Sequence, residues 1–263
     1  YMRLMDVFFS ISIDKLKKIK LIFTTFELQF FRMKYLVLLC FFIPLLATAQ
    51  SDFAKAEKLY QQGQIAESKI VFETILKENP YHLKTIEYLG DIEGKSKNWD
   101  STIFYYEQLK KLKPTEANYY YKYGGALGMK AKESNKFVAM RMIGDIKSSF
   151  EKAIQLNPKH VEARWALIEL YLQLPAIIGG SESKAIRYSN ELLKISLVDG
   201  YLSRGHIAEY FGRYSEAEKY YKLAIEVGKS KNCYQKLSDL YKNKMKQPEK
   251  AKLVLQDFER KKG

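Results

Sequence analysis

The side chains able to do chemistry are few, and their spacing brings no reactive set together. His82 and His160 each stand two residues after a proline, in Asn79-Pro-Tyr-His82 and Asn157-Pro-Lys-His160, so they read as equivalent positions that open helices. His206 has no histidine or cysteine within helical reach, and Cys40 and Cys233 are the only cysteines. Metal sites need several His, Cys or carboxylate ligands at set spacings, so no metal is expected. No G-x-S-x-G elbow, H-E-x-x-H helix or dinucleotide fingerprint occurs, and Gly179-Gly180 lacks the Gly-Lys-Ser/Thr that would make a phosphate loop. Paired acids such as Glu57 and Asp91 suit acid–base work in principle, but carboxylates on a solvated helix face are ordinary. The expectation is a chain without catalytic residues or a cofactor, and not an enzyme.

The elements that would position any site follow from periodicity. Asn79-Pro80, Lys113-Pro114 and Asn157-Pro158 recur with gaps of 34 and then 44 residues. Before each proline lies the same apolar ladder, Phe72 and Ile75, Tyr106 and Leu109, Phe150 and Ala153, whose spacing of three places each pair on one helical face. A copy without the proline reads Gly212-Arg-Tyr-Ser-Glu-Ala217-Glu-Lys-Tyr-Tyr221-Lys-Leu-Ala224. Upstream first helices show Leu89-Gly90, Tyr123-Gly124 with Leu127, Leu167 with Tyr171, Gly205, and Leu237 with Tyr241.

This pattern resembles the tetratricopeptide repeat, whose period is 34 residues of helix-turn-helix. The resemblance implies an all-α, right-handed superhelical solenoid of about six repeats, at 50–82, 83–116, 117–160, 161–197, 198–230 and 231–263, the last a polar cap. Helix starts are expected at Ser51-Asp52, Asn98, Ser181-Glu182 and Ser230. Two repeats depart from the period. The third carries ten extra residues between Met129 and Asp145, expected to lengthen its hairpin, and the fourth has a long connection at 175–183, where Gly179-Gly180 indicates a tight turn and Ile177-Ile178 an apolar tip.

Tetratricopeptide-type solenoids bind along the concave side lined by first helices. One row there runs Phe53, Glu87, Tyr121, Trp165 and Leu202, and the next Glu57, Asp91, Gly125, Glu169 and His206. An aromatic and acidic groove is therefore expected, holding a protein or peptide with basic and apolar residues on Tyr121, Trp165, Leu172 and Tyr210 and steered by Glu87, Asp91 and Glu169. Ile177 and Ile178 are a second candidate contact. Acids at these positions argue against the family's Lys/Asn clamp for an acidic peptide terminus.

Net charge is +14, and residues 50–263 hold 37 Lys/Arg against 27 Asp/Glu, but the cations alternate with Glu along the helices rather than forming a stripe. A nucleic-acid-binding helical repeat is thus the alternative, as is a non-catalytic accessory subunit of an envelope enzyme or secretion complex. At the N-terminus, Arg32-Met33-Lys34, a twelve-residue apolar run from Tyr35 to Leu46, and Ala47-Thr-Ala49 have the order of a cleavable secretory signal. Twelve apolar residues are too few to span a bilayer, which needs about 20. Residues 33–49 are read as the signal peptide, 1–32 as an extension upstream of a start at Met33, and 50–263 as the exported solenoid, periplasmic or extracellular.

Overall fold

The computed structural model describes residues 52–262, all helices and turns with no strand. The leader and the upstream extension lie outside the described residues. The chain divides into two compact units at Pro80. In the first, helix α1 (52–61) and helix α2 (Ile65–Glu78) form a pair joined through Gly63, whose φ of 80° suits glycine. Phe53 packs edge-on against Phe72 at 5.8 Å, so the apolar ladder read from the sequence is this pair's core.

The second unit contains five more pairs: α3 (Leu83–Lys95) with α4 (Trp99–Leu112), α5 (Ala117–Glu133) with α6 (Lys136–Leu156), α7 (Val161–Gln173) with α8 (Glu182–Ile195), α9 (Leu197–Tyr210) with α10 (Tyr214–Gly228), and α11 (Lys231–Asp239) with α12 (Pro248–Lys262). A π-helical turn, Leu240–Lys244, prolongs α11. The all-helical repeat architecture is the one expected, and each expected pair is present. Phe150, Ala153, Leu167, Tyr171, Tyr188 and Leu192 build one core, and Ala217, Tyr221, Ala224, Leu237 and Tyr241 another, with Trp165 packed against both. Within the second unit, successive pairs bury their apolar faces on one another, as stacked repeats must.

The repeat glycines act by absence of a side chain. A Cβ on Gly90 would stand 2.5 Å from Tyr106 Cε1, and one on Gly205 2.4 Å from Tyr221 Cε1, so glycine lets the second helix of each pair lay its tyrosine on the first. The helix starts are more varied than the sequence indicated. Ser181 and Ser230 accept from the backbone N–H groups of Lys184 and Cys233, as expected. Asn98 instead donates its side-chain amide to Glu93 Oε2 at 2.7 Å and caps nothing. His82 and His160 do cap their helices, Nδ1 accepting from Thr85 N at 3.3 Å and Ala163 N at 3.2 Å. Burial pushes the His160 pKa down, which suits a neutral ring accepting at Nδ1.

The extra residues of the third repeat lengthen α5 and α6 to 17 and 21 residues around a tight Ser134-Asn135 turn, where Asn135 accepts from Val138 N. The connection after α7 folds into a 3-10 turn, Ala176–Ile178, ended by Gly179 at φ 106°. Gly180 follows because a Cβ there would lie 1.8 Å from the Leu174 carbonyl oxygen. No described helix is long and apolar enough to cross a membrane.

Candidate functional site

Within the second unit the first helices α5, α7 and α9 touch in succession, whereas their second helices make no comparable approach. Within this unit the first helices therefore lie closer to one another than the second helices do. Phe53 and Glu57 belong to the first unit, on α1, each half-buried. Tyr121 is half-buried, its ring 6.0 Å from Phe150 and 5.2 Å from His160. Trp165 donates Nε1–H to Asp199 Oδ1 at 3.0 Å and lies 6.2 Å from the His206 ring. Tyr210 is 51% exposed and meets Phe211 edge-on. Three aromatic side chains thus present part of their surface on consecutive first helices, each held by a neighbour.

Two expectations about this surface need correction. Leu172 is 4% exposed and sits among Leu167, Ile168 and Tyr171 in the core, as does Leu202 in the core of the following repeats. Neither offers a partner any surface. The acidic character is also largely consumed inside the fold. Lys122 Nζ lies 2.9 Å from Glu87 Oε1 and 2.7 Å from Asp91 Oδ1, and Tyr106 donates to the same Asp91 oxygen. Burial alone would lower the Lys122 pKa, yet the hydrogen bonds and charges of Asp91 and Glu87 outweigh it and hold the ammonium above its ordinary value. Glu169 is approached by His206 Nε2 at 2.6 Å and accepts from Gln173 at 2.9 Å. The His206 contact is the main cause that holds the Glu169 carboxyl below its usual range.

The sequence reading missed what the two departures from the period build together. The start of α6 and the connection after α7 form, with α5 and α7, a half-open cavity of about 590 Å³. Its floor is Gly125 and Gly128, its walls include Met140, Ile143, Leu170 and Ile178, and Lys132 and Lys136 border it. Ile178 therefore turns inward, while its neighbour Ile177 is 92% exposed. No group of three or more His, Cys, Asp or Glu among the described residues is placed to hold a metal ion.

A sequence profile of the tetratricopeptide repeat matches residues 198–227, the α9–α10 pair. No curated protein matches the sequence significantly. Solved structures share the fold. A thermophilic TPR protein of Thermus thermophilus superposes with a TM-score of 0.58 at 17% identity, covering 73% of this chain and 98% of its own. PilW, described as a widely conserved type IV pilus biogenesis factor, gives 0.57 at 15%, covering 80% and 93%. PilF of Pseudomonas aeruginosa gives 0.55 at 15%, covering 81% and 90%. The chain carries a tetratricopeptide repeat and has the helical-repeat fold of such proteins.

Proposed function

We propose that this protein is a non-catalytic scaffold that holds a protein or peptide partner on the inner helices of its solenoid, outside the cytoplasm. The observation that carries the reading is the set Tyr121, Trp165 and Tyr210, partly exposed on first helices that touch one another. Aromatic side chains offer large contact area at small entropic cost and are the favoured anchors of interfaces. The partner's apolar residues lie against these rings. Glu87 and Asp91 share Lys122, and Glu169 meets His206 and Gln173, so the rings rather than the acids make the main contact. Phe53 and Glu57 are candidate contacts of the first unit by itself, and Ile177 adds an apolar point on the connection after α7.

Location outside the cytoplasm is supported by the order of basic residues, apolar run and Ala-Thr-Ala before Gln50. The fold likeness to PilW, a pilus biogenesis factor, fits a place in an envelope assembly. The test is capture of partners from envelope extract by the full chain and by Tyr121→Ala/Trp165→Ala, compared by mass spectrometry. A partner held by the wild type and lost by the variant supports groove binding. Equal capture by both moves the contact off the inner helices, and a salt-sensitive shift with single-stranded nucleic acid would favour the alternative class.

A further inference from the structure

The cavity between the third and fourth repeats is not explained by the fold. Gly90 and Gly205 are glycine because a tyrosine ring lies where a Cβ would go, and Gly124 because Phe150 and Ser149 stand 3.0 Å away. Gly125 and Gly128 are different, since a Cβ on either meets nothing within 4 Å. Glycine inside a helix is disfavoured relative to alanine, and here no neighbour requires it. Their effect is to leave the backbone of α5 bare as the floor of the cavity.

The walls are apolar and adaptable. Ala139, Met140 and Ile143 from α6 face Leu170 and Leu174 at the end of α7, with Ile178 closing one side. Met140 is half-exposed, and Phe137 and Ile177, on the two segments that form the cavity, are 82% and 92% exposed. A volume of about 590 Å³ with few polar groups has the proportions of a small-molecule site. Lys132 and Lys136 border the cavity and form no ion pair among the described residues. Glu169, the one carboxylate on its lining, is engaged by His206 and Gln173 and feels the charge of Lys132, which leaves Lys136 as the cation furthest from any acid on the lining. A peptide segment would bring backbone N–H and C=O groups against walls with almost nothing to bond them, at a cost an alkyl chain does not incur.

We propose that this cavity binds one long-chain carboxylate, a free fatty acid whose alkyl chain lies over Gly125 and Gly128 and whose head pairs with Lys132 and Lys136. Gly125 and Glu169 belong both to the cavity lining and to a row of the groove, but Tyr121, Trp165 and Tyr210 do not line the cavity, so loss of those rings should leave it intact.

The experiment is calorimetric titration of the full, delipidated chain with dodecanoate below its micelle concentration. Saturable binding of one equivalent is expected. Gly128→Leu fills the floor from a position with free space, and Met140→Trp fills from the opposite wall, so at least one should melt as the wild type does, and that variant should not bind. Lys132→Glu/Lys136→Glu should weaken binding by about tenfold, the order of two exposed ion pairs. Dodecyltrimethylammonium should not compete, and Tyr121→Ala/Trp165→Ala should bind as the wild type. Absence of saturable binding overturns the proposal. So does binding that survives in a folded filled variant, equal affinity for the cationic amphiphile, or association only with phosphatidylglycerol vesicles.

Discussion

Lys122→Met removes the charge that links two repeats while keeping an unbranched side chain of similar length. In the wild type the ammonium is held by Glu87 at 2.9 Å and by both Asp91 oxygens at 2.7 and 3.0 Å, and Tyr106 adds a hydrogen bond to Asp91. Breaking a fully buried ion pair costs about 3–5 kcal/mol, and an exposed one contributes about 0–1. The Glu87 and Asp91 side chains are 15% and 29% exposed, so water reaches them in part and an intermediate cost of about 2 kcal/mol is expected. At about 2–4 °C per kcal/mol for a unit of this size, Tm should fall by about 4–8 °C. The pH dependence fixes the cause. Because the folded pKa of Lys122 is raised, its contribution is complete below the unfolded value of about 10.4 and is lost as pH rises through the folded one. The gap between wild type and variant, measured by thermal and urea unfolding, should be constant near neutrality and narrow above about pH 10.4. The freed carboxylates should also raise affinity for a Lys-rich probe peptide. A variant within about 0.5 kcal/mol of the wild type, the scatter of ordinary surface substitutions, would refute the claim that this network consumes the groove's acidity.

Lys97 and Lys246 hold φ of 58° in turns whose counterparts are Gly63 and Gly212, so Lys97→Gly and Lys246→Gly should each add about 1 kcal/mol and raise Tm by about 2–4 °C. Gly205→Ala should cost about 1–3 kcal/mol in urea unfolding, because its Cβ meets Tyr221, whereas Gly125→Ala should gain up to about 1 kcal/mol where space is open. Glu169 has a depressed pKa, so the stability it supplies is complete above the unfolded value of about 4.3 and is lost as pH falls through the folded one. His206→Gln should flatten that acid limb of the Tm profile, and an unchanged limb would assign it to other carboxylates.

The phase of the helix pairs was legible because it rests on local chemistry: prolines after each second helix, glycines where helices approach, and apolar ladders at helical spacing. His82 and His160 were recognisable as equivalent helix openers for the same reason, though capping by imidazole nitrogen is a finding of the structure. The character of the inner face was not legible from rows alone. Lys122 adjoins Tyr121 in sequence but points about 100° around the helix. It reaches acids roughly one repeat earlier, a cross-repeat pairing that a reading of each row in isolation does not contain. Leu172 failed differently. The sequence Val161-Glu-Ala-Arg-Trp-Ala-Leu-Ile-Glu-Leu-Tyr-Leu is apolar almost all round, which marks a helix covered on most sides, and α8 and α9 both pack on it.

The cavity had a sequence signal that went unused. Both departures from the 34-residue period fall between the first and second helices of their pairs, one in the third repeat and one in the fourth. In stacked repeats, equivalent turns lie on the same edge, so insertions at one position of successive repeats are neighbours whatever their sequences. Each insertion carries large apolar residues, Phe137, Met140 and Ile143 in one and Ile177 and Ile178 in the other. Read singly, each is a tolerated loop. As a pair on one edge, over a helix whose Gly125 and Gly128 carry no side chain, they are two walls of a half-open cavity with that helix as its floor. The period that makes the fold recognisable therefore also says where its exceptions must meet.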